Sequence, residues 1–345
     1  MEGEKQSEKI MTSVPPVLAL VVPCYNEEEV FRSSEAALRA LLTRMKSEGL
    51  IAEESFVAYV DDGSTDSTWK LIEEAAEKYP ETDAGVKLGH NAGHQNALLA
   101  GLEAVVDSCD ITVTIDADLQ DDIEAIPEMV REYLKGSEIV YGVRRARETD
   151  TWFKRNSALS FYKLMRSLGV ESISNHADFR LMSSRAVEEL LKYKENNIFL
   201  RGVVPRIGLK NSQVAYARKA REAGESKYPL KKMMNFAVEG ITSFSIRPVR
   251  LVFTLGIVFV TIAVAIFIYT MYRYFTHDTI EGWTSLMLSI WFCTGVLLLG
   301  LGIIGEYVGK IFLEVKNRPR YVIEKYSGQP LEKDRKGSYT RTSLR

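Results

Sequence analysis

Short apolar runs alternate with amphipathic segments along the N-terminal part of the chain. Five runs rich in β-branched residues are typical of buried strands. They are Val17–Val22, Phe56–Val60, Val86–Leu88, Ile111–Ile115 and Ile139–Val143. The segments with apolar residues at helical spacing are Glu28–Glu48, Thr65–Lys78, Ala92–Ala104 and Ile123–Lys135. Their alternation predicts an α/β fold with a mostly parallel sheet and helices on both faces.

The hydropathy of the chain changes near residue 250. Leu251–Tyr272 contains no charged residue, and Leu286–Ile304 is a second uncharged stretch. Each is long enough to span a bilayer as a helix, and the polar loop Arg273–Gly282 joins them. A buried core helix is the alternative for either stretch alone. The pair predicts a two-helix transmembrane hairpin within residues 249–310, with helices at about 251–272 and 286–306.

Basic residues lie on both outer flanks of this hairpin. They are Lys227, Lys231, Lys232, Arg247, Arg250, Lys310, Lys316, Arg318 and Arg320. By the positive-inside rule we expect a multi-pass protein of the plasma (inner) membrane whose termini are both cytoplasmic. Residues 1–16 are a polar tail, predicted to be disordered, and they contain no apolar signal core. Residues 311–345 form the predicted cytoplasmic C-terminal tail.

Two amphipathic stretches carry both aromatic and basic residues, at 152–168 and 230–248. Such segments often lie in the interface between membrane and water, in contact with membrane lipids. For 152–168, packing of a helix against the folded domain is an equally good interpretation. For 230–248, which directly precedes the first apolar stretch, we favour an interface helix.

Composition excludes several classes of protein. The net charge of −2 gives no basic signature for nucleic acid, so no nucleic-acid partner is expected. The three cysteines, Cys24, Cys109 and Cys293, are widely spaced and match neither a disulfide framework nor a zinc site. No Gly-x-Gly-x-x-Gly follows the first strand and no Walker A sequence is present, which argues against a dehydrogenase or a P-loop ATPase.

The segment Asp116-Ala-Asp118-Leu-Gln120 directly follows the apolar run Ile111–Ile115. Two carboxylates two residues apart leave the sheet together, at the edge where open α/β sheets bind ligands. A hard divalent cation that bridges phosphate oxygens commonly takes one or two such carboxylates. A solvated acidic turn or a helix cap is the alternative interpretation of this segment alone.

Five segments occur together in the order found in a known family. They are Val21-Val-Pro23-Cys-Tyr25-Asn26-Glu27, Asp61-Asp62-Gly63-Ser64-Thr65-Asp66, Asn91-Ala-Gly93-His94, Asp116-Ala-Asp118-Leu-Gln120 and Gly224-Glu-Ser226-Lys227-Tyr228. Over residues 17–323 the chain resembles the inverting family 2 glycosyltransferases with the GT-A fold. Within that family it resembles the branch that acts on polyprenyl phosphates, namely dolichol-phosphate mannose synthases and bactoprenol glucosyltransferases.

The resemblance implies a cytoplasmic GT-A catalytic domain at residues 17–229, with a Rossmann-like mixed sheet and flanking helices. It implies a nucleoside site in which a carboxylate reads the uracil N3–H and an aromatic ring stacks on the base. That site would be formed by Pro23, Tyr25, Glu27, Asp61 and Asp62, with Asp62 weakly preferred over Asp61 as the base-reading carboxylate. By the same resemblance, Asp116 contacts ribose or metal, and Asp118 and Gln120 hold Mg²⁺ or Mn²⁺ on the diphosphate.

The acceptor implied by the resemblance is an anionic lipid phosphate, for which cationic residues near the membrane are apt. The positions that match phosphate contacts in the family are Arg144, Arg155, Arg180, Ser226 and Lys227. Some of the neighbouring cations would instead be ordinary surface residues. Asp178 matches the family's proposed catalytic base. Because a phosphate monoester has a second pKa of about 6, Asp178 is better suited to orienting the acceptor or Arg180 than to removing a proton, and it remains a candidate catalytic residue.

The expected reaction is transfer of a hexose from a UDP-sugar to polyprenyl (undecaprenyl) phosphate at the cytoplasmic face, with inversion. Glucose is the first choice and N-acetylglucosamine the second. The alternatives are a GDP-mannose-dependent polyprenyl-phosphate mannose synthase, a processive polysaccharide synthase and a non-catalytic scaffold. The processive enzymes carry a Gln-x-x-Arg-Trp motif, which is absent here. Further expected partners are a second copy of the chain, a flippase and a downstream glycosyltransferase.

Overall fold

The computed structural model describes residues 14–144, 176–195, 198–216 and 282–328, together with isolated positions between 252 and 272 and residue 331. The chain divides into two compact units. One comprises Met1–Thr151, Ser172–Ser226 and Pro319–Arg345, and the other comprises Trp152–Glu171 and Lys227–Arg318. All the described strands belong to the first unit, and the long apolar helix belongs to the second.

The described strands of the first unit form one eight-stranded mixed sheet. Their bounds are β1 Leu18–Cys24, β2 Phe56–Asp61, β3 Asp83–Leu88, β4 Ile111–Thr114, β5 Ile139–Arg144, β6 His176–Ser183, β7 Asn211–Tyr216 and β8 Ile323–Ser327. The order across the sheet is β7-β5-β6-β4-β1-β2-β3-β8. β6 runs antiparallel to β4 and β5, and β8 runs antiparallel to β3. The remaining neighbours are parallel.

The helices lie between these strands and after them. Their bounds are α1 Phe31–Ser47, α2 Thr68–Lys78, α3 His94–Val105, α4 Ile126–Leu134, α5 Ser184–Leu191, α6 Leu200–Val203 and α7 Trp283–Val315. A 3₁₀ turn, Ile123–Ala125, precedes α4, and Pro127 occupies its first turn, where the missing N–H costs nothing. The five predicted strands and the four predicted helices of the N-terminal part are therefore confirmed in place, with ends displaced by a few residues.

The hydrophobic core lies on both faces of the sheet, as the pattern predicts. All seven residues of the central strand β1 are buried. Leu20 and Val22 belong to a cluster with apolar residues of α1, α2 and α4. The alternate residue Val21 faces α3, where a Cβ added to Gly101 would lie 2.5 Å from Val21 Cγ1. The glycine therefore permits the close approach of α3 to the sheet.

β8 lies in the segment 311–345 that the sequence analysis assigned to a tail, and it closes one edge of the sheet. It pairs with β3 from Gly85↔Ser327 to Leu88↔Ile323. Lys87 Nζ lies 3.1 Å from Glu324 Oε1. Tyr321 donates a hydrogen bond to Glu103, and Arg320 donates one to the Tyr193 carbonyl. Several contacts therefore hold the residues after the apolar region against the rest of the first unit.

The helix α7 is long and apolar enough to cross a membrane, judged by length and composition. Its stretch Phe292–Val315 has a mean hydropathy of 1.9 and is almost entirely exposed. The helix extends beyond the predicted 286–306 at both ends. Among the described residues it is the one candidate span. The first predicted span, the interface segment 230–248, most of the tail 1–16 and the stretch 152–168 fall largely or wholly outside the described residues, so the hairpin stays a prediction.

Candidate active site

The carboxyl ends of β1, β2 and β4 meet at one edge of the sheet, since the three strands are parallel. The loops that follow β1 and β2 are hydrogen-bonded together. Asn26, which adopts a left-handed φ of 54°, accepts the backbone N–H of Thr65 on its side-chain oxygen at 2.9 Å. In return, the Asn26 backbone N–H donates to Ser64 Oγ at 3.0 Å. The two predicted nucleoside-binding segments therefore form one rim of the site.

On this rim, Pro23 is buried in β1 while the Tyr25 side chain is 47% exposed. An exposed ring is what stacking on a nucleobase requires. Glu27 is half-buried, and burial together with the nearby charges of Asp118 and Asp116 raises its pKa. Glu27 therefore lies within electrostatic reach of the predicted metal ligands.

The two adjacent carboxylates Asp61 and Asp62 differ in their surroundings. Asp62 accepts the backbone N–H groups of Ala92 at 2.7 Å and Gly93 at 3.0 Å, so it fixes the turn that leads into α3. Asp61 accepts the Ser64 N–H at 3.3 Å on Oδ1, whereas its buried Oδ2 has no partner among the described residues. Burial raises the pKa of both groups. Of the two, Asp61 is the one with an unsatisfied acceptor atom among the described residues, and that atom is buried.

The Asp116–Gln120 segment forms a tight turn. The carbonyl of buried Ala117 accepts a hydrogen bond from Ser34 Oγ at 2.6 Å, which anchors the turn to α1. Leu119 has a left-handed φ of 43°, and this conformation lets Gln120 fold back on Asp118. Gln120 donates from its backbone N–H to Asp118 Oδ1 at 3.2 Å and from Nε2 to Oδ2 at 2.5 Å. The three predicted metal-binding side chains are thus gathered on one turn.

This turn offers two carboxylates and an amide oxygen, which suit Mg²⁺ or Mn²⁺. Within the described ranges, no group of three His, Cys, Asp or Glu side chains is arranged to hold a metal ion. Two carboxylates and one amide oxygen would fill only part of the coordination shell of such an ion, as is usual where Mg²⁺ also binds substrate phosphates and water. Burial, opposed by His94 and reinforced by Asp178, raises the pKa of Asp116. A bound cation would counteract that effect and favour the carboxylate.

Asp178 of β6 is held by two arginines. Arg180 Nη2 donates to its Oδ1 at 2.7 Å, and Arg201 donates to it from Nη2 at 2.9 Å and Nε at 3.3 Å. His94, the first residue of α3, brings Nε2 within 3.8 Å of Asp178 and 3.6 Å of Asp116. The cluster therefore joins β6, α6 and α3 beside the Asp116–Gln120 turn.

The protonation of Asp178 follows from these charges. Burial alone would raise its pKa, but the guanidinium groups of Arg180 and Arg201 outweigh that effect and hold the pKa well below its usual range. A carboxylate stabilised in this way is a poor proton acceptor. The geometry therefore favours an orienting role for Asp178 over the role of a base.

The two arginines differ in access. Arg180 is only 1% exposed, which does not suit direct binding of a lipid phosphate. The Arg201 side chain is 38% exposed and shares the same carboxylate. The sequence analysis did not identify Arg201, since it lies in no recognised motif and reaches Asp178 only through the fold.

Arg144, at the end of β5, is paired with Asp121. Its Nη2 lies 3.1 Å from Asp121 Oδ1, and its Nε donates to the same oxygen at 3.2 Å. The Tyr216 hydroxyl lies 3.2 Å from the same Nε. Asp121 and Tyr216 were also missed by the sequence analysis. Of the other predicted acceptor residues, Arg155, Ser226 and Lys227 lie outside the described residues.

Comparison with known proteins identifies relatives along nearly the whole chain. Residues 19–191 match glycosyl transferase family 2. The chain is 51% identical to the uncharacterized glycosyltransferase YkoT of Bacillus subtilis, over 91% of this chain and 93% of that protein. It is 37% identical to the SfII prophage-derived bactoprenol glucosyl transferase of Shigella flexneri, over 91% of this chain and 99% of that protein. A crystal structure of mannosyl-3-phosphoglycerate synthase from Rubrobacter xylanophilus matches 68% of this chain and 74% of its own, with 17% identity and a TM-score of 0.45.

Proposed function

This chain belongs to glycosyl transferase family 2 and is a glycosyltransferase, and we propose that it transfers a hexose from a UDP-sugar to a polyprenyl phosphate. Glucose is the first choice of sugar and N-acetylglucosamine the second. One observation carries the proposal. An anionic turn and two partly exposed arginines lie at the same edge of the sheet. The turn is Asp116–Gln120, and the arginines are Arg144 and Arg201. The 37% identity to a bactoprenol glucosyl transferase supports the choice of acceptor.

On the donor side, Tyr25 stacks on the base and Pro23 and Glu27 complete the rim. Asp61 reads the uracil N3–H, because its Oδ2 remains without a described partner while both Asp62 oxygens are bonded within the loop. Asp116, Asp118 and Gln120 are the residues that would hold a divalent ion beside the donor diphosphate. When bound, Mg²⁺ or Mn²⁺ stabilises the charge that develops on the leaving diphosphate.

On the acceptor side, Arg144 and Arg201 orient the lipid phosphate by charge-assisted hydrogen bonds, with Arg155, Ser226 and Lys227 as further phosphate ligands. A phosphate oxygen attacks the anomeric carbon as the bond from that carbon to the diphosphate oxygen breaks, and an α-donor yields a β-linked product. No base is needed, because the acceptor phosphate is already largely a dianion near neutral pH. Asp178 keeps Arg201 in place, and Arg180 supports Asp178 from the buried side.

The membrane arrangement we propose has two spans, with the catalytic unit cytoplasmic. In the sequence, β3 lies before the apolar region and β8 lies after it, yet the two strands pair. Strands on opposite sides of a bilayer cannot pair, so the chain crosses an even number of times between them. If α7 crosses, a second span is required, and residues 251–272 are the candidate. A Cβ on Gly300 would lie 3.0 Å from Val252 Cγ1, which supports contact between the start of that stretch and α7.

The charge distribution around the apolar region supports the cytoplasmic orientation, where nucleotide sugars are found. The product is a sugar on a lipid at that face. We therefore propose that a flippase and a glycosyltransferase on the other side of the membrane use it.

The test is an incubation of the purified full-length protein with Mg²⁺, undecaprenyl phosphate and a panel of radiolabelled nucleotide sugars. We expect label from UDP-glucose in the organic-extractable lipid, with a β-anomeric product by NMR. Transfer from UDP-N-acetylglucosamine or GDP-mannose instead would revise the donor. An absence of lipid product with every donor would overturn the proposal.

A second test uses the variant Asp118→Ala, which removes one proposed ligand of the metal ion. Asp118 is exposed, so the substitution should not disturb the fold. We expect at least a hundredfold loss of transfer, since uncompensated charge on the leaving group costs several kcal/mol. Chelation by EDTA should have the same effect and be reversed by added Mg²⁺ or Mn²⁺. Full turnover by the metal-free enzyme would contradict the metal assignment.

A further inference from the structure

Asp121 directly follows the Asp116–Gln120 turn and differs from Asp118 in its exposure. Asp118 is exposed, whereas Asp121 is only 3% exposed. Its carboxylate is directed at the end of β5, where it accepts hydrogen bonds from Arg144. The next residue, Asp122, caps the following 3₁₀ turn by accepting the Glu124 N–H. One rigid stretch of backbone therefore carries both the proposed metal ligands and the partner of Arg144.

The Arg144 guanidinium is held along one edge. Nε and Nη2 both lie within 3.5 Å of Asp121 oxygens, and Tyr216 Oη accepts from Nε at 3.2 Å. The Tyr216 hydroxyl also hydrogen-bonds to Asp121. By contrast, Nη1 has no hydrogen-bond partner among the described residues, and the side chain is 34% exposed. The guanidinium thus has one edge bound to Asp121 and Tyr216, and within the part of the chain that the structure describes its Nη1 is the atom left to contact a ligand.

The Tyr216 ring is itself fixed. It packs edge-on against Phe179 at 5.2 Å between ring centroids, and Tyr216 is almost fully buried. Phe179 lies between Asp178 and Arg180 in β6. The same strand therefore packs against Tyr216, which contacts Arg144, and carries the residues of the cluster around Asp178. This arrangement leaves the Arg144 side chain little freedom to choose another rotamer.

We propose that Asp121 and Tyr216 are positioning residues for the transfer, which hold Arg144 so that its Nη1 edge binds the acceptor phosphate. This inference rests on the proposed function. Since Asp121 shares a turn with Asp118 and Gln120, it also sets the separation between the donor diphosphate and the acceptor phosphate. In-line attack requires that separation to be fixed.

The test compares Asp121→Asn and Tyr216→Phe with the wild type in steady-state kinetics, with both substrates varied. We expect the KM for undecaprenyl phosphate to rise about tenfold in Asp121→Asn and about threefold in Tyr216→Phe. In each variant Arg144 is held less firmly, which weakens its charge-assisted hydrogen bond to the acceptor phosphate. The KM for the UDP-sugar should stay within about twofold. Equilibrium binding of undecaprenyl phosphate in detergent micelles, without donor, should weaken by similar factors.

A double-mutant cycle distinguishes positioning from a general structural effect. In an Arg144→Gln background, Asp121→Asn should change the acceptor KM by less than about twofold, because Asp121 acts through Arg144. The matched control is Glu124→Gln, which breaks the exposed Arg44–Glu124 pair at 2.6 Å on the neighbouring 3₁₀ turn. This control should leave both KM values unchanged.

Three results would overturn the inference while leaving the proposed function intact. They are a wild-type acceptor KM in both single variants, additive effects in the cycle, and an equal loss of donor and acceptor affinity. If Asp121→Asn fails to fold, Tyr216→Phe decides, since it keeps the ring packed on Phe179. Failure of the proposed function itself is recognised separately, as an absence of lipid product from the wild type.

Discussion

Two carboxylates of the first unit, the largely buried Asp178 and the fully buried Asp83, differ in what surrounds them. Asp178 receives hydrogen bonds from two arginines, and its pKa is lowered despite its burial. Asp83 is fully buried at the start of β3, with Arg39 Nη1 at 3.7 Å and no hydrogen-bond partner among the described residues. Burial, reinforced by Glu35 and opposed by Arg39, raises its pKa to about 7.

The comparison shows that burial does not by itself decide the charge of a carboxylate. Hydrogen-bonded cations keep Asp178 anionic at the edge of the sheet where the loops proposed to bind the donor lie. At the opposite edge, Asp83 shares Arg39 with Glu35, which Arg39 approaches to 2.5 Å. The first arrangement supports an orienting anion, and the second a group that takes up a proton near neutral pH.

The largest effect is expected when the pairing of Asp178 is broken. Asp178→Asn leaves the buried guanidinium of Arg180 without its anion, which typically costs about 3–5 kcal/mol. We expect a large fall in the melting temperature of the full-length protein in detergent. The control is Arg185→Gln, which breaks the exposed Arg185–Glu138 pair at 3.6 Å and should cost less than about 1 kcal/mol. Equal melting temperatures for the two variants would contradict the assignment.

The wild-type pH–rate profile sharpens the same point. Because Asp178 stays ionised throughout the accessible range, its titration should contribute no step to the profile. The acidic limb should instead follow the acceptor phosphate, whose second pKa is about 6. Measurement of kcat/KM between pH 5 and 8 with undecaprenyl phosphate tests this. If the acidic limb persists with an acceptor analogue that does not titrate in this range, a protein side chain must act as the base.

The next largest effect concerns Asp83 and the pH dependence of stability. Its folded pKa of about 7 lies above the unfolded value near 3.9, so the folded state binds more protons between these values. Its contribution to stability is fully present below about pH 4 and is lost as the pH rises to about 7. Three pH units correspond to roughly 4 kcal/mol as an upper estimate.

Asp83→Asn removes that titration. We expect the melting temperature of the variant to change much less between pH 5 and pH 8 than that of the wild type, and to exceed it at pH 8. The measurement is thermal unfolding in detergent at both pH values. Parallel behaviour of the two proteins would show that Asp83 does not titrate in this range.

The smallest effect is expected from Glu35→Gln, which makes the surroundings of Asp83 more like those of Asp178. Once the negative charge of Glu35 is removed, Arg39 can pair with Asp83 alone. Both changes lower the pKa of Asp83. The loss of stability between pH 5 and 8 should shrink by about 1 kcal/mol. An increase in the pH dependence would mean that Arg39 is held mainly by Glu35 and leaves Asp83 when Glu35 is changed.

The parts of the fold that the sequence predicts are those with a regular pattern. β1 is apolar at every position and β4 consists only of β-branched residues, so the type and place of both strands are evident from the sequence. β6 was not predicted, because Asp178 and Arg180 interrupt its apolar pattern with charges that are satisfied only by the fold. β7 and β8 lie at the edges of the sheet and are largely polar, which removes the alternation that would identify them.

The candidate site divides in the same way. Asp116, Asp118 and Gln120 lie within five residues on one turn, so their spacing alone predicts that they meet. Arg201 reaches Asp178 across 23 residues, and Arg144 reaches Asp121 across the same separation. Asp62 is engaged by backbone groups 30 residues away. Sequence spacing carries no information on such pairs, because tertiary packing alone brings them together.

The pairing of β3 with β8 also has a consequence for biosynthesis. About 235 residues separate the end of β3 from the start of β8, and the apolar region lies between them. At roughly 5–20 residues per second, the ribosome completes β8 about 10–50 s after β3 has emerged. During that time the β3 edge is open, and an open edge is a template for unwanted strand pairing. A nascent chain, or a proteolytic fragment that ends before the apolar region, therefore exposes an unpaired, aggregation-prone β3 edge. In the full-length protein β8 covers this edge.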